Sequence, residues 1–532
     1  MNKIESGELI LPRVKLAPNN NNVLSHTLNV EPILEKPQRK SPENLVNTAR
    51  KTYNSGITRD VNYREKQLKG LLRFLEERCA DIEVALYEDI RKPKQETNMG
   101  EIWPVANDLR QTIFEFKRWA KPAKQQKRLI NLLDDVKIHQ DPYGVVLIVG
   151  AWNYPILLTL GPLIGALAAG NCVILKPSEL SPHTAELLSR LLPKYLDPEV
   201  VQVTLGGIPE TNELLKERFD YIFFTGSTAV GKIVYKAAAE HLTPVTLELG
   251  GKSPVYLDNT GNMEQAARRI LWGRFLNSGQ TCVSPDYILC TAEVQNEFIE
   301  ASKKVLETFY GPNPLLAPDL SKIVTERHFN RLLNLIQSEK VAIGGVYDKA
   351  NRLIAPTILR DVSPNDPVMQ EEIFGPILPI LVVKNVDEAI DYINVRDKPL
   401  ALYIFSKNKD VQNKILKFTS AGGVAINDTV SHLITENIPF GGVGASGMGA
   451  YHGKEGFDTF SHKKGVLIKD VSSLTDFGLE MRYPPYSEKK TSMMNFLLKK
   501  RKGINIDRLQ NFIIFIFGML FAYLIMYLKK IN

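Results

Sequence analysis

The segment YGVVLIVG, residues 143–150, is a short apolar run that is rich in β-branched residues and bounded by glycines. Four runs of the same kind follow it, namely NCVILKPSE (171–179), VVQVTLGG (200–207), DYIFFTGS (220–227) and VTLELGG (245–251). Strands that are apolar on both faces are typical of parallel sheets covered by helices. Helical stretches separate these runs, and the alternation predicts a doubly wound α/β fold whose ligands bind beyond the carboxyl ends of the strands.

The helical stretches themselves carry start signals and apolar faces. The first stretch, 42–133, places four leucines on one helix face, namely Leu68, Leu71, Leu72 and Leu75. A later one, SPHTAELLSRLLPKYL, begins with Ser181 at the N-cap position and Pro182 at the first helical position. Both patterns predict helices that pack on the sheet.

Composition and charge limit the class of protein. A chain of 532 residues is too long for one compact core and predicts two or three domains. Its four cysteines are scattered without a C-x-x-C pair, and no H-E-x-x-H occurs, so neither a disulfide framework nor a metal site is expected. The chain has a net charge of +7. Residues 489–532 alone contain nine basic side chains and one acidic side chain. The rest of the chain is close to neutral, which disfavours nucleic-acid binding.

The two chain ends differ from the body. Residues 512–528, FIIFIFGMLFAYLIMYL, are uncharged and flanked by basic residues, and a helix of that length is roughly 25 Å long, near the lower limit for crossing a bilayer. We expect a transmembrane tail anchor over 509–528 after a basic amphipathic linker over 487–508; the alternative is a buried core helix. The body would then face the cytosol at the mitochondrial outer membrane or endoplasmic reticulum, with lipid droplet and peroxisome left open. Residues 1–42, with NNNN and scattered prolines, predict a flexible extension.

Two motifs at predicted strand ends suit a nucleotide. In FTGSTAVGK a strand runs into Gly226 and Ser227 before a helix that contains Gly231, and free N–H groups at a helix N-terminus bind phosphate. In KPSE, Lys176 and Glu179 follow another strand, where such side chains hydrogen-bond ribose hydroxyls. A tight turn would explain the first motif and surface residues the second. Together they predict an adenosine ribose and a pyrophosphate across neighbouring strands.

Three further residues suit acyl chemistry. Glu248 ends a strand before Gly250 and Gly251, and partial burial in such a crevice raises a carboxyl pKa towards that of a general base. The amide of Asn153, in AWNYP, can donate to an oxyanion, a contribution of about 3 kcal/mol. Cys282, in GQTCVSP, has polar neighbours that do not suit a space-filling role. The alternatives are a capping or lysine-paired role for Glu248 and a turn-forming role for Asn153.

The order and spacing of these motifs resemble the aldehyde dehydrogenase superfamily. AWNYP, KPSE, FTGSTAVG, ELGGKSP, GQTCVSPDYILC, EEIFGPILP and the run from NDTVSHL to DTFSH are all present, over about residues 43–486. The last run, MRYPPY and Pro285 look most like class 3, the fatty aldehyde dehydrogenase branch, in which a similar hydrophobic tail occurs. The resemblance implies a Rossmann-like NAD-binding domain over 43–247, an α/β catalytic domain over 248–432, an oligomerisation segment over 433–486, and a homodimer.

The resemblance also implies catalytic roles. Cys282 is the nucleophile, Asn153 and the Cys282 backbone N–H stabilise the oxyanion, and Glu248 activates the water that releases the acyl group. We further expect polar surroundings and neighbouring N–H donors to raise the thiolate fraction of Cys282, since a free thiol has a pKa near 8.5.

The same resemblance implies an NAD site. Its residues are Trp152, Lys176, Glu179, Gly226, Ser227, Gly231, Glu372 and Phe374. In the family, the position of Glu372 holds the nicotinamide ribose and that of Phe374 lies against the same end of the cofactor. Glu179 would repel a 2′-phosphate, which favours NAD and leaves NADP open.

The implied activity is NAD(P)-dependent oxidation of medium- to long-chain aliphatic aldehydes to fatty acids, through a cysteine thiohemiacetal and an acyl thioester. Such aldehydes partition into membrane by about 0.8 kcal/mol per CH₂ group, so an anchored enzyme would meet them where they are concentrated. Aromatic or other small aldehydes at a membrane surface, or an inactive membrane scaffold, are the alternatives. Transfer of the acyl group to coenzyme A is disfavoured, because Glu248 would not be needed.

Overall fold

The computed structural model describes residues 40–131, 134–435, 437–469, 479–499, 515, 516, 518–523 and 526. Residues 1–39 of the predicted extension 1–42 lie outside the described residues. Most of the predicted anchor 509–528 also lies outside them. Among the helices that are described, none has the length and apolar character needed to cross a membrane.

Helices and strands alternate through most of the described chain. The helices are, in chain order, α1 (Pro42–Asn54), α2 (Val61–Glu77), α3 (Cys79–Ile90), α4 (Lys94–Thr97), α5 (Trp103–Trp119), α6 (Leu157–Ala169), α7 (Pro182–Leu191), α8 (Ile208–Leu214), α9 (Thr228–Ala239), α10 (Met263–Phe275), α11 (Ala292–Tyr310), α12 (Glu326–Leu333), α13 (Val386–Asn394), α14 (Lys409–Phe418), α15 (Gly453–Thr459) and α16 (Glu488–Leu498). The strands are β1 (Ala123–Lys124), β2 (Asp135–Pro142), β3 (Val145–Val149), β4 (Cys172–Lys176), β5 (Val201–Val203), β6 (Tyr221–Thr225), β7 (Val245–Glu248), β8 (Pro254–Leu257), β9 (Tyr287–Cys290), β10 (Val341–Ile343), β11 (Tyr347–Asp348), β12 (Leu353–Ile354), β13 (Thr357–Leu359), β14 (Ile377–Val382), β15 (Ala401–Phe405), β16 (Gly423–Ile426), β17 (Gly447–Met448) and β18 (Ser461–Ile468).

The five strands predicted from the sequence form one parallel sheet, as expected. Its order is β17-β7-β6-β3-β4-β5, and only the short β17 runs antiparallel. Strands β3, β4 and β6 are buried throughout, because α1 and α6 pack against β3 and β4 while α9 packs against β6 and β7. The predicted α/β fold is therefore confirmed. The edge strand β17 comes from a glycine-rich loop that the strand pattern did not predict.

A second, seven-stranded sheet has the order β10-β13-β14-β9-β8-β15-β16 and is parallel except for β10. Alternate residues of its strands enter different cores: Ile288 and Tyr403 join the core that also contains the first sheet, whereas Leu289 and Leu402 face a separate core. This period of two is the normal consequence of strand geometry. Strands β1, β2 and β18 form a small antiparallel sheet. The domain boundaries predicted from the sequence stay predictions.

Two helices show how far local sequence signals extend. Helix α2 buries Leu68, Leu71 and Leu75 completely, as the helical spacing predicts. Helix α7 begins after Ser181 as expected, but the Ser181 hydroxyl donates to the Ser178 carbonyl and caps no helical N–H group. Both carboxylate oxygens of Asp89, on α3, accept from the first N–H groups of α7 instead, at 2.9 Å. A carboxylate at a helix N-terminus also suits the helix dipole.

Candidate functional site

The predicted site residues gather at the carboxyl edge of the first sheet. The strand register pairs Val149 with Lys176 and with Phe224, and pairs Thr225 with Glu248, so four neighbouring strands end at the same level. Asn153, Lys176, Gly226 and Glu248 lie at or just beyond these ends. The structure therefore brings the AWNYP, KPSE, FTGSTAVG and ELGG motifs to one edge, where an open α/β sheet binds its ligands.

Asn153 lies in a buried loop that is tied to the loop before Cys282. The Asn153 side chain is 3% exposed, and its Nδ2 donates to the Gln280 carbonyl at 3.1 Å. In return, Nδ2 of Asn277 donates to the Asn153 carbonyl at 3.0 Å. An amide nitrogen carries two hydrogens, so the Asn153 amide keeps one that this hydrogen bond does not use.

The loop that carries Cys282 has an unusual backbone. Asn277 and Ser278 both have φ of 52°, in the left-handed region, where two consecutive non-glycine residues are costly unless the surroundings hold them. Here Glu96 accepts from the Asn277 N–H at 2.9 Å, and the Ser278 hydroxyl donates to the Ser321 carbonyl at 2.6 Å. Neighbouring segments thus fix the approach to Cys282.

A buried charge network follows the cysteine. The Arg274 guanidinium donates to the Asp286 carboxylate at 3.1 Å and to the Pro285 carbonyl at 2.9 Å. It also donates to the Gly375 carbonyl, in the EEIFGP segment. Lys252 donates to the other Asp286 oxygen at 2.5 Å and to the Glu371 carbonyl at 2.8 Å. This network joins the cysteine loop to the segment that carries the predicted nicotinamide-ribose residue.

The Cys282 thiol is less acidic than its sequence context predicts. The pKa of the thiol is raised to about 12, mainly by burial and also by the nearby carboxyl groups of Glu372 and Glu248, while the backbone N–H groups of Cys282 and Val283 act to lower it. The polar residues Gln280 and Thr281 are themselves buried. The expected increase in thiolate fraction is therefore wrong, because the raising contributions exceed those of the N–H donors.

Glu248 is a buried carboxyl group without partners. Its side chain is 3% exposed, and neither carboxylate oxygen has a hydrogen-bond partner among the described residues. Burial raises the pKa of Glu248 well above its usual range because the charged form loses its hydration. No lysine of the described residues pairs with it, and its oxygens cap no described helix, so the two structural alternatives have no support. An unpartnered, buried carboxyl group with a raised pKa is typical of a general base.

The predicted adenosine-ribose residues lie together. Lys176 Nζ is 2.9 Å from a Glu179 carboxylate oxygen, with Lys176 buried and the Glu179 side chain 41% exposed. Ser227 caps α9, accepting from the Val230 N–H at 3.4 Å. Gly231 is buried in α9 against Leu249, where an added Cβ would lie 2.6 Å from a Leu249 methyl carbon. Helix α9 therefore packs close to the strand end with its N-terminus at the carboxyl edge of the sheet.

The other predicted cofactor residues meet near the glycines of ELGG. The Gly251 backbone N–H donates to the Glu372 carboxylate, and burial together with the Asp286 charge raises the pKa of this carboxyl to about 8. An added Cβ on Gly250 would collide with the same carboxylate. The rings of Trp152 and Phe374 meet edge to face at 5.5 Å between centroids. A carboxylate for ribose hydroxyls, aromatic rings and a helix N-terminus are the groups that a nicotinamide dinucleotide requires.

A cavity of about 380 Å³ opens beside the cysteine. Cys282, Thr281 and Tyr154 lie on its wall. Most of the remaining wall is apolar, with Met99, Leu157, Leu158, Trp272, Leu276, Phe309, Val430, Leu433, Ile434 and Phe440. Its charged lining residues are Glu96 and Asp319, and no described lining residue is basic. An apolar chain that ends in a reactive group at Cys282 fits this wall.

Several residues of the site were not predicted from the sequence. Glu96 lines the cavity, and burial raises the pKa of its carboxyl to about 7. Lys92 and Glu101 form a buried ion pair behind the Asn153 loop. Arg274 and Asp286 hold the cysteine loop from the other side. Their sequence signal is weak, since charged residues in helical segments are ordinarily exposed.

Comparisons with known proteins agree with this geometry. Residues 31–466 match the model of the Aldehyde dehydrogenase family. The mouse protein named "Aldehyde dehydrogenase, dimeric NADP-preferring" is 52% identical over 441 residues, covering 83% of this chain and 97% of the mouse protein. Mouse "Aldehyde dehydrogenase family 3 member A2" is 50% identical over 459 residues, covering 86% of this chain and 94% of that protein.

Solved structures show the same fold. The substrate-bound state of Staphylococcus aureus AldH superposes with a TM-score of 0.83 and is 44% identical, covering 86% of this chain and 99% of that chain. The Mycobacterium tuberculosis aldehyde dehydrogenase complexed with NAD+ has a TM-score of 0.74 at 26% identity, covering 82% and 92%.

Proposed function

This chain belongs to the aldehyde dehydrogenase family, in class 3, and uses NAD(P) to oxidise aldehydes; on that premise we propose that its substrates are medium- to long-chain aliphatic aldehydes. The apolar cavity beside Cys282 carries this proposal. Each methylene group that leaves water for an apolar wall gains about 0.8 kcal/mol. A long alkyl chain gains most from such a wall.

The first chemical step is attack by Cys282. A bond forms between the sulfur and the aldehyde carbon, the thiol proton passes to a base, and the carbonyl oxygen becomes an oxyanion. The free hydrogen of the Asn153 amide and the Cys282 backbone N–H are the donors for this oxygen. Removing one such donor typically costs about 3 kcal/mol of transition-state stabilisation.

The second step releases the acid. NAD(P), when bound, supplies the acceptor for the hydride that leaves the aldehyde carbon, and Lys176, Glu179, Ser227, Glu372 and Phe374 with Trp152 would hold it. The acyl group is then a thioester on Cys282. Glu248 takes a proton from water, the hydroxide attacks the thioester, and the sulfur leaves as the carboxylic acid forms.

We also propose NAD as the preferred cofactor with NADP accepted. The Glu179 carboxylate would repel a 2′-phosphate, but it is paired with Lys176 and partly exposed, which weakens the repulsion. The chain would act as a homodimer, a proposal supported by the word "dimeric" in the name of the mouse relative.

The site of action proposed here is a membrane surface. The uncharged segment 512–528 with its basic flanks supports a tail anchor over 509–528. The catalytic body would face the cytosol, at the mitochondrial outer membrane or the endoplasmic reticulum. An N-terminally fluorescent full-length chain should label one of these membranes, and a chain lacking 509–532 should not. Equal distribution of the two proteins would contradict the anchor.

A chain-length series tests the substrate proposal. Hexanal, octanal, decanal, dodecanal and benzaldehyde would be compared by kcat/KM with NAD and NADP. Because about 1.4 kcal/mol corresponds to a factor of ten, each buried methylene group should raise kcat/KM by up to about fourfold until the cavity is filled. A flat series, or a preference for benzaldehyde over decanal, would contradict the assignment to aliphatic aldehydes.

A further inference from the structure

We infer that Lys92, together with Glu101, is a positioning residue that holds the amide of Asn153 at the nucleophile. The inference rests on the proposed role of Asn153 as oxyanion donor and adds the side chains that orient it. Lys92 follows α3, and Glu101 lies in the short π-helical segment Asn98–Ile102 that leads into α5. Neither residue is among those that line the described cavity.

Burying the Lys92–Glu101 ion pair costs desolvation free energy. Both side chains are 0% exposed, and Lys92 Nζ donates to a Glu101 carboxylate oxygen. A buried ion pair that serves only packing can often be replaced by apolar residues without loss of stability, because removing two charges from water costs so much. A pair without solvent contact is therefore weak evidence for a role in stability, and its other contacts must decide what it does.

Those contacts converge on the loop that carries Asn153. Lys92 Nζ donates to the Asn153 carbonyl at 2.8 Å and lies 3.9 Å from the centre of the Tyr154 ring. The second Glu101 oxygen accepts from the N–H groups of Ile156 and Leu157, at 2.8 and 3.3 Å. The ammonium thus holds the residue that donates to the oxyanion, and the carboxylate holds the start of the next helix.

The same loop is fastened to the nucleophile on its other side. The Asn153 amide donates to Gln280, and the Tyr154 hydroxyl is 2.9 Å from the Thr281 hydroxyl, one residue before Cys282. Rotation of the Asn153 peptide would break the hydrogen bond from Lys92 to the Asn153 carbonyl. The same rotation would displace the Asn153 side-chain amide. A catalytic donor is effective only when its neighbours hold it within about 0.5 Å of the productive position.

The experiment is a double-mutant cycle with an aldehyde that the wild-type chain oxidises. The variants are Lys92→Met, Asn153→Ala and the double variant, each measured for kcat, KM and thermal unfolding. Lys92→Met should lower kcat about 10- to 100-fold, less than the roughly 10²- to 10³-fold loss expected for removal of the donor itself, with a smaller change in KM. In the Asn153→Ala background the same change should cost less than about threefold, since its route to the chemistry is already gone.

A matched control separates positioning from general destabilisation. Lys340→Met removes the lysine of another ion pair, with Asp366, and neither residue lines the described cavity; it should lower the unfolding temperature without changing kcat. If Lys92→Met does not fold, Glu101→Gln takes its place in the double-mutant cycle. The same pattern is expected, with a smaller loss of kcat. Equal losses in both Asn153 backgrounds would overturn the inference. Wild-type activity on decanal reports separately on the proposed substrate class.

Discussion

Replacing Glu248 with glutamine is expected to stop the enzyme after one acylation and to stabilise the folded chain. General acid–base catalysis contributes about 10²- to 10⁴-fold, so kcat should fall by that factor while the first acylation persists. Stopped-flow absorbance at 340 nm should show one equivalent of NADH per active site, followed by slow turnover. Unchanged kcat would refute the assigned role. Loss of the burst as well would place Glu248 in the attack rather than in hydrolysis.

The stability effect of Glu248→Gln has a definite sign. Burial raises the Glu248 pKa well above its usual range, so the folded chain keeps a proton that the unfolded chain loses. Between the unfolded and folded pKa values, this difference lowers wild-type stability by about 1.4 kcal/mol per pH unit. Glutamine does not ionise, so the advantage of the variant should be near zero at about pH 4.5 and grow as pH rises. A difference that shrinks as the pH rises would contradict the burial argument.

Two further predictions concern the thiol and the cofactor. Because the pKa of Cys282 is raised to about 12, alkylation of the cofactor-free protein by iodoacetamide should rise roughly tenfold per pH unit between pH 7 and 10; a plateau near pH 8.5 would contradict this. Glu179→Gln should lower KM for NADP a few-fold relative to KM for NAD, because it removes a partly exposed negative charge. An unchanged ratio would show that the carboxylate does not face the 2′ position.

The sheet that holds the site could be predicted from the sequence because its signal is local. Strands β3, β4, β5, β6 and β7 are short apolar runs, and their burial on both faces leaves little else for such runs to form. The ends of parallel strands then meet at one edge, which brings the four motifs together. Strand β17 was missed because its two residues pair through a glycine-rich loop, and no residue pattern marks such a short pairing.

The supporting residues of the site could not be predicted because their roles depend on tertiary contacts. Asp89 caps α7, which begins more than ninety residues later in the chain, by accepting from the N–H groups of His183 and Thr184. Lys92 and Glu101 lie in RKPKQETNMGE, a segment that reads as a solvated helix face. Their proposed role depends on the contact between Lys92 and the Asn153 carbonyl, which forms only in the folded chain. Polarity along the sequence was misleading for Cys282, because its polar neighbours Gln280 and Thr281 are buried and hydrogen-bonded to other parts of the protein.

The raised pKa values of Cys282 and Glu248 favour the protonated form of each group. Only a thiolate reacts readily with oxidants, so a protonated Cys282 resists oxidation. The Glu248 carboxyl is itself one of the groups that raise the thiol pKa. Glu248→Gln and Glu372→Gln should therefore each speed iodoacetamide alkylation of the thiol at pH 9, because each carboxyl group is one of those that raise the thiol pKa. Slower alkylation in both variants would mean that these carboxylates act as bases for the thiol, and that the resting site already exchanges a proton between sulfur and oxygen.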